Sequence, residues 1–135
     1  MYSSYQNRGA YNHRNIGRQL LCFDNISHYG KATPTDIDGL IEYHDKQYVL
    51  LEIKRKGVQV LYGQRVALER MVNDFRKAGK EAIAVVAEHT VFDPSEDVDV
   101  AECLVREIYY SGERVWRPPK RLMNVRTLLD SFLLP

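Results

Sequence analysis

Asp38, Glu52 and Lys54 are the residues of this chain whose types and spacing allow them to do chemistry together. Side chains on a strand alternate faces with a period of two. An E-x-K pair on one strand therefore points the same way, whereas an E-x-x-K pair would not. In a first strand Asp36, Asp38, Leu40 and Glu42 share a face; in a following one Tyr48, Leu50, Glu52 and Lys54 do. A hairpin of the two brings Asp38 beside Glu52, with Lys54 just beyond. Adjacent carboxylates repel unless a cation lies between them. Hard oxygen donors completed by water suit Mg²⁺, and Mn²⁺ is expected to substitute. The backbone carbonyl of Ile53 can add a ligand, and Asp36 is a second choice for the first carboxylate or a further metal contact. A metal held this way polarises a phosphoryl oxygen, activates water and stabilises a leaving oxygen. Lys54 would orient or deprotonate the water, or neutralise charge developing on the phosphate.

The elements that must position these residues follow from the pattern. Residues 37–43 read as a strand, 44–46 as a polar turn and 48–54 as a second strand, apolar until its end. A helix is predicted over 61–78, with an apolar stripe of Leu61, Leu68, Met71, Val72 and Phe75 and Gly79 as its stop. Gln64 falls on that stripe at its N-terminal end, where a polar group needs a partner; the alternative is a helix-start residue facing water. The run EAIAVVAE at 81–88 reads as a buried strand, parallel to an earlier one. An acidic loop over 90–99, a strand over 104–110, a basic connector over 116–121 and a closing helix over 125–134 complete the order. Residues 16–23 read as one further short element and 25–34 as a loop. The succession implies an α/β fold, a mixed β-sheet flanked by helices. Residues 1–18 are polar and tyrosine- and arginine-rich, and are expected to be a flexible arm ahead of a single domain, 19–135.

Asp38…Glu52-Ile53-Lys54 resembles the active-site motif of the PD-(D/E)xK nuclease superfamily, which includes restriction endonucleases, Holliday junction resolvases and recombination exonucleases. Gly63-Gln64 opening the next helix, the segment QRVALERM and the helix–Gly79–AIAVV succession are similar to resolvase-like members, so the resemblance spans about 33–87. It implies a restriction-endonuclease-like core and a Mg²⁺-dependent deoxyribonuclease that hydrolyses DNA phosphodiester bonds, structure-specific cleavage such as Holliday junction resolution included. It also implies that Gln64 reaches the Lys54 or metal-water region, that Asp38 is the in-strand aspartate, and that a homodimer cuts both strands. Recombination, repair or restriction proteins are the implied further partners. The superfamily's acidic residue in the first helix has no clear counterpart, since Asp24 is the only carboxylate before Asp36; one metal is better supported than two. The alternative is a catalytically inactive nucleic-acid- or protein-binding module on the same fold.

Bulk properties set limits on these readings. With 135 residues, 44% hydrophobic and 27% charged, the chain can bury a core without disulfides or a structural metal. Its formal net charge of +1 leaves any case for nucleic acid to the placement of cations. Arg55, Lys56, Arg65, Arg117, Lys120 and Arg121 are the candidates for phosphate contacts, with Arg70, Arg114 and Arg126 behind them. Trp116 is expected in a core or interface, with base stacking as its other use. Tyr11 and His13 are arm residues able to touch DNA. Cys22 and Cys103 lack zinc-site spacing and read as two partly buried free thiols. With no leader and no membrane-spanning run, they predict a cytoplasmic or nucleoid-associated protein, phage- or mobile-element-encoded among the options.

Overall fold

A computed structural model describes residues 21–26, 29–110 and 115–135. The expected arm over 1–18, most of the element expected over 16–23, and the candidates Tyr11, His13 and Arg114 lie outside the described residues. The chain divides into two units, Met1–Pro34 and Thr35–Pro135. The described part of the first holds a 3-10 turn, Asp24–Ile26, and a bridge between Tyr29 and Ala32, and it takes in the exposed Cys22.

The second unit is a mixed α/β fold: a five-stranded sheet in the order β1-β2-β3-β4-β5 with two helices. β1 (Gly39–Tyr43) and β2 (Gln47–Arg55) form an antiparallel hairpin in the register Leu40↔Leu50 and Gly39↔Leu51. Its turn places His44 and Asp45 at φ of 53° and 58°, and Lys46 N–H donates to the Tyr43 carbonyl at 3.0 Å. Two successive positive φ values give a turn whose twist suits paired strands. Aspartate tolerates that region, and Lys80 holds the Asp45 carboxylate at 2.8 Å.

From β2 the chain crosses through α1 (Tyr62–Lys77) to β3 (Glu81–His89), which runs parallel to β2 as expected. α1 ends in a Schellman motif. Gly79 takes φ +88°, its N–H donates to the Arg76 carbonyl, and Lys80 N–H donates to that of Phe75. A left-handed residue is needed at this position and glycine adopts it without a Cβ penalty. β4 (Leu104–Tyr110) and β5 (Trp116–Arg117) continue antiparallel, and α2 (Val125–Leu133) closes the unit. The segment read from sequence as a basic connector thus begins with a short edge strand. α2 starts where the Asn124 side chain accepts from the Thr127 N–H at 2.8 Å.

Two apolar layers sandwich the sheet. Val49, Leu51, Ile83, Val85, Ala87, Val105 and Ile108 face α2 through Val125 and Leu128. Leu50, Ala82, Ala84 and Tyr109 face α1 through Leu68 and Val72. β2 and β3 are covered on both sides, which is why their sequences are continuous apolar runs. Of the predicted helix stripe, Leu68 and Val72 are buried and Met71 and Phe75 pack on the core, but Leu61 is exposed, because it caps the helix rather than lying along it. Cys103 is buried in the α2 layer. The Tyr109 hydroxyl, deep in the α1 layer, donates to Asn73 Oδ1 at 3.0 Å. Among the described residues no helix is long and apolar enough to cross a membrane.

Leu50→Ala should cost about 3 kcal/mol through cavity formation. Tyr109→Phe should cost only about 1 kcal/mol, because one hydrogen bond is lost without a cavity. Urea unfolding of the two variants against wild type measures both.

Candidate functional site

Glu52 is the one charged residue buried among those described, with 3% of its surface exposed. Its parity on β2 matches Leu50, so it points to the α1 side of the sheet, just beyond the apolar layer. The first turn of α1 lies over it. The site sits toward the C-terminal ends of the parallel strands β2 and β3, where the following helix begins. Open α/β sheets place ligands in that position.

Three groups converge on Glu52. Lys54, two residues along the same strand, places its ammonium 3.1 Å from Oε2. Gln64, in the first turn of α1, donates from Nε2 to the same oxygen at 3.3 Å. Asp38 is close enough for its charge to act on Glu52. The other oxygen, Glu52 Oε1, is buried without a hydrogen-bond partner, and so is Gln64 Oε1. Two buried acceptors with no donor cost free energy. A cation, or a water, satisfies such a pair. Gln64 is partly buried at the start of α1, with Glu52 as its hydrogen-bond partner.

Asp38 departs from its expected setting. The strand was read from residue 37, yet β1 begins at Gly39, and Asp38 lies in the bend before it. Its Oδ2 accepts the Ile53 N–H at 2.7 Å. The carboxylate supplies the acceptor that β1, which begins only at Gly39, does not. A strand residue's N–H and C=O point to the same edge, so the Ile53 carbonyl faces the β1 edge of β2, the side on which Asp38 lies. Asp36 is exposed in the loop further back. The structure brings together Asp38, Glu52, Lys54 and Gln64. Among the described residues no group of three or more His, Cys, Asp or Glu is arranged to hold a metal ion. The oxygen donors here are two carboxylates, the Gln64 amide and the Ile53 carbonyl.

The basic candidates separate. Arg55 ends β2 and Lys56 follows it, and both are exposed; Arg55 lies over the Phe92 ring at 5.9 Å, and Lys56 N–H donates to the His89 carbonyl. Arg65 is committed elsewhere. It pairs with Glu107 and stacks on Trp116 at 4.7 Å, and the Trp116 indole donates to Glu69 at 2.6 Å. Trp116 is thus a packing residue of the α1 layer. Arg117 pairs with Ile108 across β4–β5, which puts it on the α2 side. Lys120 and Arg121 border a groove on that same side with Ile108, Met123 and Leu128. These three cations lie on the opposite face from Glu52, because β5 enters the sheet with Trp116 toward α1.

Sequence reading missed Glu88, Arg106 and Glu107. β4 is irregular against β3 between Val86 and Ala87, so that Val86 pairs with Glu107 and Ala87 with Val105, leaving Arg106 as the extra residue. Such a bulge re-aims side chains. Arg106 Nε donates to Glu88 Oε1 at 3.0 Å and Nη1 to the Val58 carbonyl at 2.8 Å. It thereby ties the loop between β2 and α1 to the sheet. The signal was present in the sequence: an adjacent Arg-Glu pair inside an apolar strand either buries a charge or marks a bulge.

Burial, the largest influence, pushes the Glu52 carboxyl above its ordinary 4.5, and the Asp38 charge adds to this; Lys54 and Gln64 act in the opposite direction. A carboxyl raised in the folded state contributes stability that is present below 4.5 and lost as pH rises through its folded value. Glu52→Gln should therefore be the more stable protein at pH 8, with its advantage shrinking as pH falls toward 4.5. Thermal melts across that range test it: an advantage that stays constant with pH would contradict the assignment. Comparison with protein-family models, curated proteins and solved structures finds no match to the chain.

Proposed function

We propose that the chain is a Mg²⁺-dependent deoxyribonuclease of the PD-(D/E)xK kind, with a restriction-endonuclease-like core. The observation that carries this reading is the buried Glu52. Its Oε1 and the Gln64 Oε1 lack partners, while Lys54 stands on the same strand face and Asp38 beside it. A buried charge with unsatisfied oxygen neighbours is costly unless the site exists to receive a cation. The oxygens of Glu52 and Asp38 and the Ile53 carbonyl would hold the metal, an all-oxygen set that suits Mg²⁺. Bound there, Mg²⁺ supplies Lewis acidity and an activated water.

The chain's own groups do the remainder. Asp38 keeps one oxygen on the Ile53 N–H, so its carboxylate is fixed in direction. Gln64 positions Glu52 from the helix side. Lys54, at the rim of the burial, offers an ammonium to a phosphate oxygen or to the attacking water. Arg55 at the strand's end and Lys56 just past it, both exposed, would contact the DNA backbone. Arg117, Lys120 and Arg121 face away from Glu52, so they would serve a second stretch of DNA or a second copy of the chain. A homodimer cutting both strands, of a junction among other substrates, accommodates that division.

Cleavage of supercoiled, linear, single-stranded and four-way-junction DNA with Mg²⁺ or Mn²⁺ tests the proposal. Glu52→Ala and Lys54→Ala should each lose about 10²-fold or more in rate. Metal-dependent cutting that survives in Glu52→Ala, or DNA binding without cutting on any of these substrates, would overturn it.

A further inference from the structure

Lys54 is already engaged where a metal would act. Its ammonium lies 3.1 Å from Glu52 Oε2, and the Glu52 side chain is only 4% exposed, so the lysine is the main positive charge compensating a nearly dry carboxylate. The Gln64 amide donates to the same oxygen. Glu52 Oε1 has no hydrogen-bond partner in the protein. The protein therefore satisfies the carboxylate on one side only: one oxygen is doubly engaged and the other has no protein donor.

A divalent ion arriving at the bare oxygen would stand within a few ångströms of a full ammonium. Like charges repel strongly where water is scarce, so both cations cannot be held well at once. Lys54 has somewhere to go. Its side chain is 19% exposed, its strand ends one residue later, and its stem is flexible. Its cross-strand neighbour Glu88 is already taken by Arg106 at 3.0 Å, so that carboxylate does not hold it inward. The outward direction is the one in which a substrate phosphate would approach.

We propose that Lys54 is the resident counter-ion of Glu52, and that a divalent metal enters by displacing it. This rests on the metal-dependent reading of the site and deepens it. The lysine then weakens metal binding in the free protein. It becomes available to substrate only once the metal has taken its place, which imposes an order: metal first, then phosphate engagement by Lys54.

Titration calorimetry with Mn²⁺ alone, on the whole chain at pH 8, reads this directly. Lys54→Met should bind Mn²⁺ at least about tenfold more tightly than wild type. Lys54→Gln should do the same and stands in should the methionine variant fail to fold. Lys54→Arg keeps the charge and should remain near wild type, and Glu52→Gln should abolish binding. In wild type, Mg²⁺ should also shift the Lys54 ammonium resonance toward that of a solvated lysine. Equal or weaker Mn²⁺ binding in both neutral variants overturns the displacement while leaving a metal-dependent site in place. No Glu52-dependent binding in any variant overturns the displacement and the proposed function together.

Discussion

The burial of one carboxylate organises this end of the molecule. Glu52 continues a strand whose residues from Val49 to Leu51 are fully apolar and enclosed, so its charge enters the sheet where water is almost excluded. Every nearby feature bears on that cost. Lys54 returns a positive charge on the next available position of the same face. The first turn of α1 brings an amide rather than an apolar side chain at Gln64. β1 stops short, and the bend before it lets Asp38 take over the Ile53 N–H. A hydrophobic residue at position 52 would make each of these devices unnecessary, since well-packed apolar groups often replace buried ion pairs at no loss of stability. Their joint presence is the argument for a site.

Much of this was legible in the sequence, for reasons that can be named. Period-two alternation assigned Glu52 and Lys54 to one face, and the 3.6-residue period put Gln64 on the buried stripe of α1. Gly79 marked the helix end because a left-handed residue is required there. The doubly covered strands β2 and β3 announced themselves as unbroken apolar runs. Elsewhere the local pattern was insufficient. The start of β1 was misplaced because Asp38 pairs through its side chain, and hydropathy does not distinguish that from a ladder residue. β5 was read as connector because its residues Trp116–Arg117 are followed directly by two prolines, which obscure a short strand. Arg65 looked available, yet its partner Glu107 lies 42 residues away, and no local rule pairs them.

The two sheet faces have separate tasks. The α2 side is an apolar seal, with Val125 and Leu128 against Val85, Val105 and Ile108. The α1 side is apolar along the helix and turns polar at its first turn, where Glu52, Lys54, Glu88, Arg106 and Glu107 follow one another across three strands. The helix start is the boundary between the two regimes. Arg65–Glu107 and Arg106–Glu88 neutralise the outer acids in place. That leaves Glu52 and Asp38 as the carboxylates whose pairing is incomplete or borrowed from the backbone.

The extra residue in β4 has a consequence for the integrity of the sheet. Val105 and Ile108 both face α2 although one number is odd and the other even, so the strand changes alternation phase partway along. A strand with a single phase can slide past its neighbour by two residues and still present the same faces. β4 is held more tightly: a slip would carry the phase change away from its place opposite Val86 and Ala87, and a two-residue slip toward the start of β3 would set Glu107 opposite Ala84 in the apolar layer under α1. The irregularity works as a locating pin, holding the central strands in one alignment and keeping the row of charges opposite the start of α1.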